Sequence, residues 1–486
     1  MTHSTARLSA LFTDFYSLTM AQGYWKKGMN HRAAFEMFFR SQPFGGGFSV
    51  FAGLGTLLGK LQNFSFSSED LDYLKELKVF EDAFLDYLKD FRFSGSLWAM
   101  EEGTVVFPNE PLIRVDASII ECQIIEGLLL NIINFQTLVA TKTARIWLAS
   151  GKGKLMEFGL RRAQGPDGSL SASRAAYIGG ALGTSNALAG KEFGIPVAGT
   201  MAHSWIMAYP SEEEAFRSYA EIYPGKTILL IDTYNTMKSG IINAIKVGKT
   251  LGANGKNFGI RLDSGDIQYL SVQARKMLDE AGLTEATITV SNELDEYIIQ
   301  ALTDAKAAVD VWGVGTQMVT GGNESAFKGV YKLAASYGGD GVHVAKIKFS
   351  DNPEKTNNPG VKQVWRIKDA DGMFVADALA LEEPKNSDLI EKGKTYTFWH
   401  PSADYRRFVH TLNNDPEPLL AERLRDGKPT REELSLDEIQ KHVRKELESL
   451  DQSYKRILNP HIYKVSITSR LRTLKLDLIK KCLGEL

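Results

Sequence analysis

From about residue 150 onward, short apolar runs that end in polar residues alternate with helix-like segments, and this alternation limits the possible folds more than any other feature. It is expected of successive βα units, which build parallel sheets. One intervening segment, 211–223, begins with Ser211 as a candidate helix cap and has Glu214 three residues later. The apolar runs are residues 153–158, 195–199, 226–231, 258–262, 287–290 and 309–313.

Six such units in a row predict either a closed barrel or a doubly wound sheet. Nearly every run ends in polar residues. A closed ring of parallel strands brings all of those ends together, whereas an open sheet brings them to one or two crevices. We therefore predict an α/β barrel as the catalytic domain, over residues 136–345.

The two ends of the chain have a different pattern. Residues 94–117 indicate antiparallel strands joined by turns that contain Gly, Pro and Asn, and residues 68–91 indicate helices. The segment 431–450 has alternating charges, which predict a solvated helix. We expect residues 1–135 and 346–486 to form α+β pieces that pack together as one discontinuous domain.

The composition excludes several classes of protein. A formal net charge of -2 gives no support for nucleic-acid binding. Two cysteines, Cys122 and Cys482, cannot build a disulfide framework or a cysteine zinc site within one chain, and they suit a reducing cytoplasm. The first residues do not resemble a signal peptide, and no apolar stretch approaches the roughly 20 residues that span a bilayer. We expect a cytoplasmic protein that binds neither nucleic acid nor membrane.

The stretch "RLDSGD", residues 261–266, combines one cation and two carboxylates at a strand end. Arg261 can form two parallel hydrogen bonds to a phosphate. Asp263 can accept hydrogen bonds from ribose hydroxyls or help to hold Mg²⁺ through water. These groups suit a phosphorylated sugar. The alternative is a polar turn with Asp266 as the cap of the next helix, and the two interpretations are compatible.

Two further strand ends suit an anion, although each also has a simpler explanation. Adjacent Arg161 and Arg162 follow Phe158, but surface arginines and a core phenylalanine would give the same pattern. The stretch 312–322 contains four glycines and two threonines, whose backbone can enclose a phosphate. It matches neither the P-loop pattern nor the dinucleotide-binding glycine pattern.

His203, in "VAGTMAHSW", has three possible roles. As a metal ligand it lacks partners at ligand spacing. As a core residue it would be ordinary. As a nucleophile or proton carrier it needs an acceptor on its other ring nitrogen. Asp232 ends the next run, and neighbouring barrel strands would bring it close, which favours a reactive histidine.

Taken together, the polar strand ends resemble those of the nicotinate phosphoribosyltransferases, which belong to the type II phosphoribosyltransferases. The matching motifs occur in the family's order and are "LFTDFYSLTMAQGYW", "EFGLRRAQGPDG", "GTMAHSW", "LLIDTY", "IRLDSGD", "VSNELDE", "GVGT" and "GVYKL". The resemblance covers residues 10–335 well and the last third loosely. It implies an irregular, incomplete α/β barrel, an α+β domain formed by both ends of the chain, and a homodimer with shared active sites.

The resemblance also implies an activity. Enzymes of this family condense nicotinate with 5-phosphoribosyl 1-pyrophosphate to give nicotinate mononucleotide and pyrophosphate, the first step of NAD biosynthesis from nicotinate. They are classed as ligases because they couple the reaction to ATP hydrolysis through a phosphohistidine, which matches His203. We expect ATP as co-substrate, Mg²⁺ bound with pyrophosphate and ATP, and no cysteine zinc site.

The resemblance assigns roles residue by residue. Ser185 stands where the related nicotinamide enzyme has an aspartate, and a hydroxyl can donate to the carboxylate of nicotinate; the alternative is a small residue packed on a helix. The other roles implied are Tyr16 reaching the pyridine from the partner subunit, Phe158 stacking on it, Arg161 lining the same pocket, Thr200 and Arg261 contacting substrate, Asp232 orienting His203, Asp263 meeting the ribose and pyrophosphate, and Gly315 and Thr316 holding the 5'-phosphate.

Three other functions fit parts of the pattern. A nicotinamide or quinolinate phosphoribosyltransferase would share the same fold. A phosphosugar aldolase or isomerase on an eight-stranded barrel often uses a strand-end lysine for Schiff-base chemistry or a glutamate as base, whereas the strand ends here offer Arg, Asp and His and no lysine. A non-catalytic nucleotide-binding or scaffold protein would not need six convergent polar clusters.

Overall fold

A computed structural model describes residues 8–252, 255, 257–338, 341–350, 355–382, 388–403 and 405–485. The chain divides into two compact units. The first comprises residues 1–138 together with 326–486, and the second comprises residues 139–325. The predicted boundaries were 135/136 and 345/346. The later division falls earlier, after Ser325, because residues 329–337 form an antiparallel strand of the first unit.

The helices, numbered along the chain, begin and end at these residues: α1 Phe15–Lys26, α2 Leu54–Leu61, α3 Ser68–Glu76, α4 Asp82–Lys89, α5 Ile119–Ile124, α6 Glu126–Ala149, α7 Gly165–Ile178, α8 Ala187–Phe193, α9 His203–Met207, α10 Glu212–Ile222, α11 Ile241–Gly248, α12 Ile267–Glu280, α13 Glu296–Asp304, α14 Thr316–Thr320, α15 Leu436–Ser449, α16 Gln452–Lys455 and α17 Ser469–Leu483. Short 3₁₀ turns occur at Pro43–Gly45 and Leu160–Arg162, and a π-helical turn at Thr236–Gly240. None of the described helices combines the length and the apolar character that a bilayer crossing requires.

The strands are β1 Arg32–Phe39, β2 Ser49–Val50, β3 Ser96–Ala99, β4 Val105–Val106, β5 Ile113–Ser118, β6 Lys154–Glu157, β7 Gly183–Thr184, β8 Thr227–Leu230, β9 Phe258–Leu262, β10 Thr287–Asn292, β11 Val311–Val314, β12 Gly329–Tyr337, β13 His343–Ala345, β14 Lys362–Lys368, β15 Phe374–Leu381, β16 Thr395–Trp399, β17 Arg407–Thr411, β18 Glu417–Pro418, β19 Ala421–Arg425, β20 Lys428–Pro429 and β21 Val465–Ile467.

The second unit contains the predicted parallel sheet. Its six strands lie in the order β7-β6-β11-β10-β9-β8, and all five neighbouring pairs are parallel. Apolar side chains of these strands are buried, which explains the apolar runs in the sequence. The carboxyl ends of parallel strands lie along the same edge, so the residues that follow each strand are brought together. The sheet forms part of a barrel, and the predicted fold class is confirmed.

Local capping explains where several helices begin. Ser211 accepts a hydrogen bond from the backbone of Glu214 at the start of α10, as predicted. Asp266 accepts one from the backbone of Tyr269 at the start of α12, so the capping role considered for this residue is confirmed.

One predicted strand is wrong. Residues 195–199 make only an isolated parallel bridge, between Val197 and Thr184, and the short strand β7 takes the expected place beside β6. Two backbone hydrogen bonds join this segment to Thr184, through the carbonyl of Pro196 and the N–H of Ala198. Pro196 has no N–H to donate, so the ladder does not extend.

The described residues of the first unit form three sheets. The largest has the order β13-β12-β1-β5-β3-β19-β20, and every neighbouring pair in it is antiparallel. The others are the pair β2-β4 and a mixed sheet in the order β17-β16-β21-β15-β14-β18. The antiparallel pair β3 and β5 and the helices α3 and α4 confirm what residues 94–117 and 68–91 indicated.

The predicted solvated helix in 431–450 exists as α15, but one of its faces is buried. Ile439, Val443 and Leu447 recur at helical spacing and lie in the core. Glu446 is also buried on this helix, and it pairs with Arg366. The alternating charges therefore describe only part of the helix surface.

Arg366 is the centre of a buried ionic cluster in the first unit. Its guanidinium contacts Asp377 at 2.7 Å and Glu446 at 2.7 Å, and it donates to the carbonyl of Val105. Burial alone would lower the pKa of Arg366, but these two carboxylates raise it. Burial and the negative charge of Asp377 raise the pKa of nearby Glu110. The cluster joins β14, β15 and α15.

We predict that Arg366→Met destabilises the first unit by about 3–5 kcal/mol, because it leaves Asp377 and Glu446 buried without a cation. Lys368→Met is the matched control: it lies two residues along the same strand, and its ion pair with Glu417 is partly exposed. That change should cost no more than about 1 kcal/mol. The measurement is urea denaturation of both variants and of the unchanged protein. Equal losses in the two variants would show that the buried cluster contributes no more to stability than the partly exposed ion pair.

Candidate active site

Most of the predicted site residues line one pocket of about 270 Å³ in the second unit. The pocket lies at the carboxyl edge of the parallel sheet. Its lining residues come from the carboxyl ends of the strands and from the loops that follow them. The predicted residues in the pocket wall are Phe158, Arg161, Ser185, Thr200, His203, Arg261 and Asp263, and the remaining wall is Gly199, Met201, Ala202 and Leu230.

Arg261 connects three sides of the pocket. Its Nη1 donates to Thr200 Oγ1 at 3.0 Å, and its Nη2 donates to Asp263 Oδ1 at 3.2 Å. Its Nε donates to Ser291 Oγ at 2.7 Å. The guanidinium carbon lies 6.0 Å from the ring centre of Phe158, within the range of a cation–π contact. The side chain is 13% exposed, so its charge faces the pocket from a mostly buried position.

His203 lies at the first residue of α9 with its ring between two partners. Nδ1 is 3.0 Å from Thr233 Oγ1, and Nε2 is 3.9 Å from Asp263 Oδ2. The side chain is 42% exposed, so a substrate can reach it. The ring therefore has one nitrogen held by a hydroxyl and the other directed toward a carboxylate of the pocket.

In the part of the chain that the structure describes, Asp232 does not form the predicted hydrogen bond to His203. Asp232 Oδ2 accepts hydrogen bonds from Asp263 N at 3.0 Å and from Ser264 Oγ at 2.6 Å. The reason is strand pairing: β8 lies beside β9, so Asp232 faces the loop that follows β9. The segment before His203 is bridged to β7 instead. Thr233 takes the place at the imidazole that was expected for Asp232.

Glu157 supports two walls of the pocket from beneath. This carboxylate is fully buried. It accepts hydrogen bonds from Gly159 N, from Ser173 Oγ and from Thr184 Oγ1, while its backbone carbonyl accepts one from Ser185 N. The loop that carries Phe158 and the loop that carries Ser185 are thus fixed by one residue.

Gly313 makes room for the aromatic ring of Phe158. A Cβ at this position would lie 2.6 Å from two atoms of that ring. The backbone N–H of Phe158 donates to the carbonyl of Val314 at 2.8 Å, which holds the loop against β11. Gly315 and Thr316 follow directly, and a Cβ on Gly315 would be 3.3 Å from the carbonyl oxygen of Phe158. These two residues adjoin the pocket wall without lining it.

Tyr16 belongs to the first unit, on α1, and is 48% exposed. Partial burial and the negative charges of Glu126 and Asp14 raise the pKa of its phenol. Its expected role at a pyridine ring stays a prediction.

No group of three or more His, Cys, Asp or Glu side chains within the described ranges is arranged to hold a metal ion. Asp263 Oδ2 is the carboxylate oxygen of the pocket that neither Ser291 nor Arg261 contacts. It is suited to contact a cation that enters with a substrate. The Mg²⁺ expected with pyrophosphate and ATP stays a prediction.

Three residues of the site were not assigned a role from the sequence. Ser291 and Thr233 follow predicted strands, so their position at the carboxyl edge was a usable signal. Glu157 precedes Phe158 in the "EFG" motif, but nothing in the sequence indicates that its carboxylate is buried. Apart from the contact of Glu157 with Gly159 N, the side-chain hydrogen-bond partners of these residues are distant in sequence, and the pairing of the strands brings them together.

Three family models match the chain. They are described as the nicotinate phosphoribosyltransferase N-terminal domain, over residues 11–134, the nicotinate phosphoribosyltransferase family, over residues 153–372, and the C-terminal domain, over residues 361–475. Together they cover most of the sequence, and the family model itself contains the whole candidate pocket.

Relatives that are named nicotinate phosphoribosyltransferase match nearly the full chain. The nicotinate phosphoribosyltransferase of Bacillus subtilis is 43% identical over 463 residues, which is 94% of this chain and 93% of that protein. The human protein of the same name is 34% identical and covers 98% of this chain and 97% of its own. The crystal structure of human nicotinic acid phosphoribosyltransferase has a TM-score of 0.83, with 30% identity over 96% of this chain and 99% of that one. A nicotinate-nucleotide pyrophosphorylase from Pyrococcus furiosus shares the fold, with a TM-score of 0.68 at 21% identity.

We predict that Gly313→Ala weakens the binding of nicotinate, the compound named in these relatives, by about tenfold. The added methyl pushes the Phe158 ring into the pocket, and overpacking of this kind costs roughly 1–3 kcal/mol. The measurement is isothermal titration calorimetry. Gly225→Ala is the control, because nothing lies within 4 Å of a Cβ placed there. Unchanged affinity in Gly313→Ala would mean that the position of this ring does not matter for the ligand.

Proposed function

Because this chain belongs to the nicotinate phosphoribosyltransferase family, we propose that it joins nicotinate to 5-phosphoribosyl 1-pyrophosphate and releases pyrophosphate. The observation that carries the proposal is the pocket at the carboxyl edge of the parallel sheet. It combines an aromatic wall, Phe158, with the cations Arg161 and Arg261 and the carboxylate of Asp263. These groups are complementary to an aromatic carboxylate and to a phosphorylated sugar.

The chemistry requires positioning more than proton transfer. The lone pair of the pyridine nitrogen forms a bond to C1 of the ribose, while the bond from C1 to the pyrophosphate oxygen breaks and its electrons leave with pyrophosphate. No general base is needed, since the nitrogen carries no proton. The protein contributes alignment of the two substrates and stabilisation of the charge on the leaving group.

Arg261 and Asp263 suit the phosphoribosyl part of this reaction. The guanidinium is held by Thr200, Ser291 and Asp263, so it is fixed before a substrate arrives. A fixed cation stabilises developing negative charge without reorganising during the reaction. Asp263 Oδ2 faces the pocket, where it can accept hydrogen bonds from ribose hydroxyls or contact the Mg²⁺ that accompanies pyrophosphate. Gly315 and Thr316 would hold the 5'-phosphate.

The pyridine part of the pocket suits a carboxylate. Phe158 offers a ring face for stacking, and Arg161 offers charge-assisted hydrogen bonds. Ser185 offers a hydroxyl that can donate without adding a charge. An amide substrate would gain less from the arginine, so this combination favours nicotinate over nicotinamide.

ATP coupling is the part of the proposal that rests on His203. The ring is accessible, and one of its nitrogens is held by Thr233 while the other faces the pocket. A neutral imidazole that is oriented in this way can accept a phosphoryl group. ADP then leaves, and water later removes the phosphoryl group from the histidine.

We further propose a cytoplasmic homodimer in which Tyr16 of one subunit completes the pyridine site of the other. Its support is the resemblance of residues 11–25 to the family and the exposure of Tyr16 on α1. The expected pathway position is the first step of NAD biosynthesis from nicotinate.

The experiment that tests the proposed activity is product analysis by mass spectrometry. Purified protein receives phosphoribosyl pyrophosphate and Mg²⁺ with nicotinate, nicotinamide or quinolinate, each with and without ATP. We expect nicotinate mononucleotide in the reactions that contain nicotinate, no product from the other two pyridines, and a higher yield when ATP is present. If nicotinate mononucleotide forms from quinolinate with release of CO₂, the protein is a quinolinate phosphoribosyltransferase. If nicotinamide mononucleotide is the main product, it is a nicotinamide phosphoribosyltransferase.

We predict that His203 is the residue that ATP phosphorylates. Incubation with γ-labelled ATP should place acid-labile, base-stable label on the protein. The label should be absent from His203→Ala, and ATP should no longer stimulate that variant, because no imidazole is left in the pocket to accept the phosphoryl group.

The matched control is His461→Ala, which removes an exposed histidine of the first unit. It should keep the label and the ATP stimulation of the unchanged protein. Label that persists in His203→Ala would place the reactive group elsewhere. Some ATP-independent synthesis can survive in His203→Ala, since the pyridine attack itself needs no histidine.

We predict that Ser185→Asp lowers the preference for nicotinate over nicotinamide by at least about a hundredfold, measured as the ratio of the two kcat/KM values. The introduced carboxylate would face the carboxylate of nicotinate. Like charges in a low-dielectric pocket repel each other by an energy on the order of several kcal/mol. The introduced carboxylate could accept hydrogen bonds from the amide of nicotinamide. Ser185→Asn, which has nearly the same size without the charge, is the control. An unchanged ratio in Ser185→Asp would remove this residue from substrate selection.

A further inference from the structure

Ser291 lies between two charged residues of the pocket, Arg261 and Asp263, without lining the pocket itself. It is the fifth residue of β10 and is 5% exposed. Its Oγ is 2.7 Å from Arg261 Nε and 2.5 Å from Asp263 Oδ1. A single hydroxyl therefore connects the guanidinium with the carboxylate.

The direction of these hydrogen bonds follows from chemistry. The Nε–H of arginine can only donate, so Ser291 Oγ accepts from Arg261. The hydroxyl proton is then left for the carboxylate of Asp263, which accepts it. Ser291 is thus an acceptor toward the cation and a donor toward the anion, and neither role can be reversed while both groups are charged.

The hydroxyl also distinguishes the two oxygens of Asp263. Oδ1 accepts from Ser291 and from Arg261 Nη2, the latter at 3.2 Å. Oδ2 is directed toward His203 Nε2, at 3.9 Å. On the backbone side, Asp263 N donates to Asp232 Oδ2. Asp263 is therefore held at its backbone N–H and at one carboxylate oxygen, Oδ1, while Oδ2 is presented to the pocket.

We propose that Ser291 is a positioning residue, whose hydroxyl fixes the orientation of Asp263 so that Oδ2 meets the ribose and pyrophosphate of the sugar substrate. This inference rests on the proposed phosphoribosyl transfer. Without the hydroxyl, Arg261 and Asp263 are free to form a direct pair with two parallel hydrogen bonds, which is the preferred geometry for these groups. Such a pair turns Oδ2 toward the guanidinium and away from the pocket.

The strand itself supplies a control. Thr289 lies two residues before Ser291, so its side chain is on the same face of β10, and it is 2% exposed. Thr289 Oγ1 is buried and has no hydrogen-bond partner in the part of the chain that the structure describes. Ser291→Ala and Thr289→Val each remove one buried hydroxyl from the same strand, but only the first removes a link between Arg261 and Asp263.

The first measurement is steady-state kinetics with both substrates varied. Ser291→Ala should lower kcat/KM for phosphoribosyl pyrophosphate by about 10- to 100-fold, the size of effect expected when a binding group is displaced by about 1 Å. The dissociation constant for nicotinate, measured separately by isothermal titration calorimetry, should stay within about threefold, because Phe158, Arg161 and Ser185 keep their positions. Thr289→Val should match the unchanged protein in both. No loss of kcat/KM in Ser291→Ala, or a dissociation constant for nicotinate that rises by the same factor, would overturn the proposal.

The second measurement asks whether Ser291 acts through Asp263. The change Ser291→Ala is made in the unchanged protein and in Asp263→Asn, and single-turnover rates with concentrated enzyme keep slow variants measurable. If Ser291 orients the carboxylate, its removal costs less than about threefold once that carboxylate is an amide. The same loss in both backgrounds would show that Ser291 does not work through Asp263. Absence of phosphoribosyl transfer in the unchanged protein would instead reject the proposed function itself.

Discussion

Parallel hydrogen bonding among six short strands is the constraint on which the candidate site depends. Thr289 pairs with Arg261 between β10 and β9, and Ser291 pairs with Gly313 between β10 and β11. This register places Ser291 beside the guanidinium and places a residue without a side chain beside the Phe158 ring. A shift of one residue would reverse the facing of every side chain on a strand. The charged network and the aromatic wall therefore follow from the same backbone alignment.

The consequence is a site whose walls are supported by two buried polar side chains, Glu157 and Ser291. Glu157 and Ser291 are both nearly inaccessible, and both are fully engaged in hydrogen bonds to loops or side chains of the pocket. Buried polar groups of this kind are costly unless they are satisfied, so they restrict the loops to one arrangement. The exposed side chains, such as Arg161, are free to adapt to a ligand, whereas Arg261 is already fixed.

Much of this arrangement could be predicted from the sequence. The repeated apolar runs identified the parallel sheet, and the polar residues after them identified most of the pocket wall, because strand ends converge in this fold whatever their details. What could not be predicted was which strand lies beside which. The exchange of Thr233 for Asp232 at the imidazole of His203 follows from the pairing of β8 with β9. The burial of Glu446 on α15 was not predicted for a similar reason, since its partner is Arg366, 80 residues away in the sequence.

The order of the chain also affects how the protein is made. Strand β1 pairs with β5 on one side and with β12 on the other, and roughly 290 residues separate the end of β1 from the start of β12. At translation rates of about 5–20 residues per second, one edge of β1 stays unpaired for about 15 to 60 s after its synthesis. An exposed strand edge is a template for pairing with other chains. The seven-stranded sheet of the first unit therefore needs protection from such pairing on the ribosome, because it cannot be completed until the second unit has been synthesised.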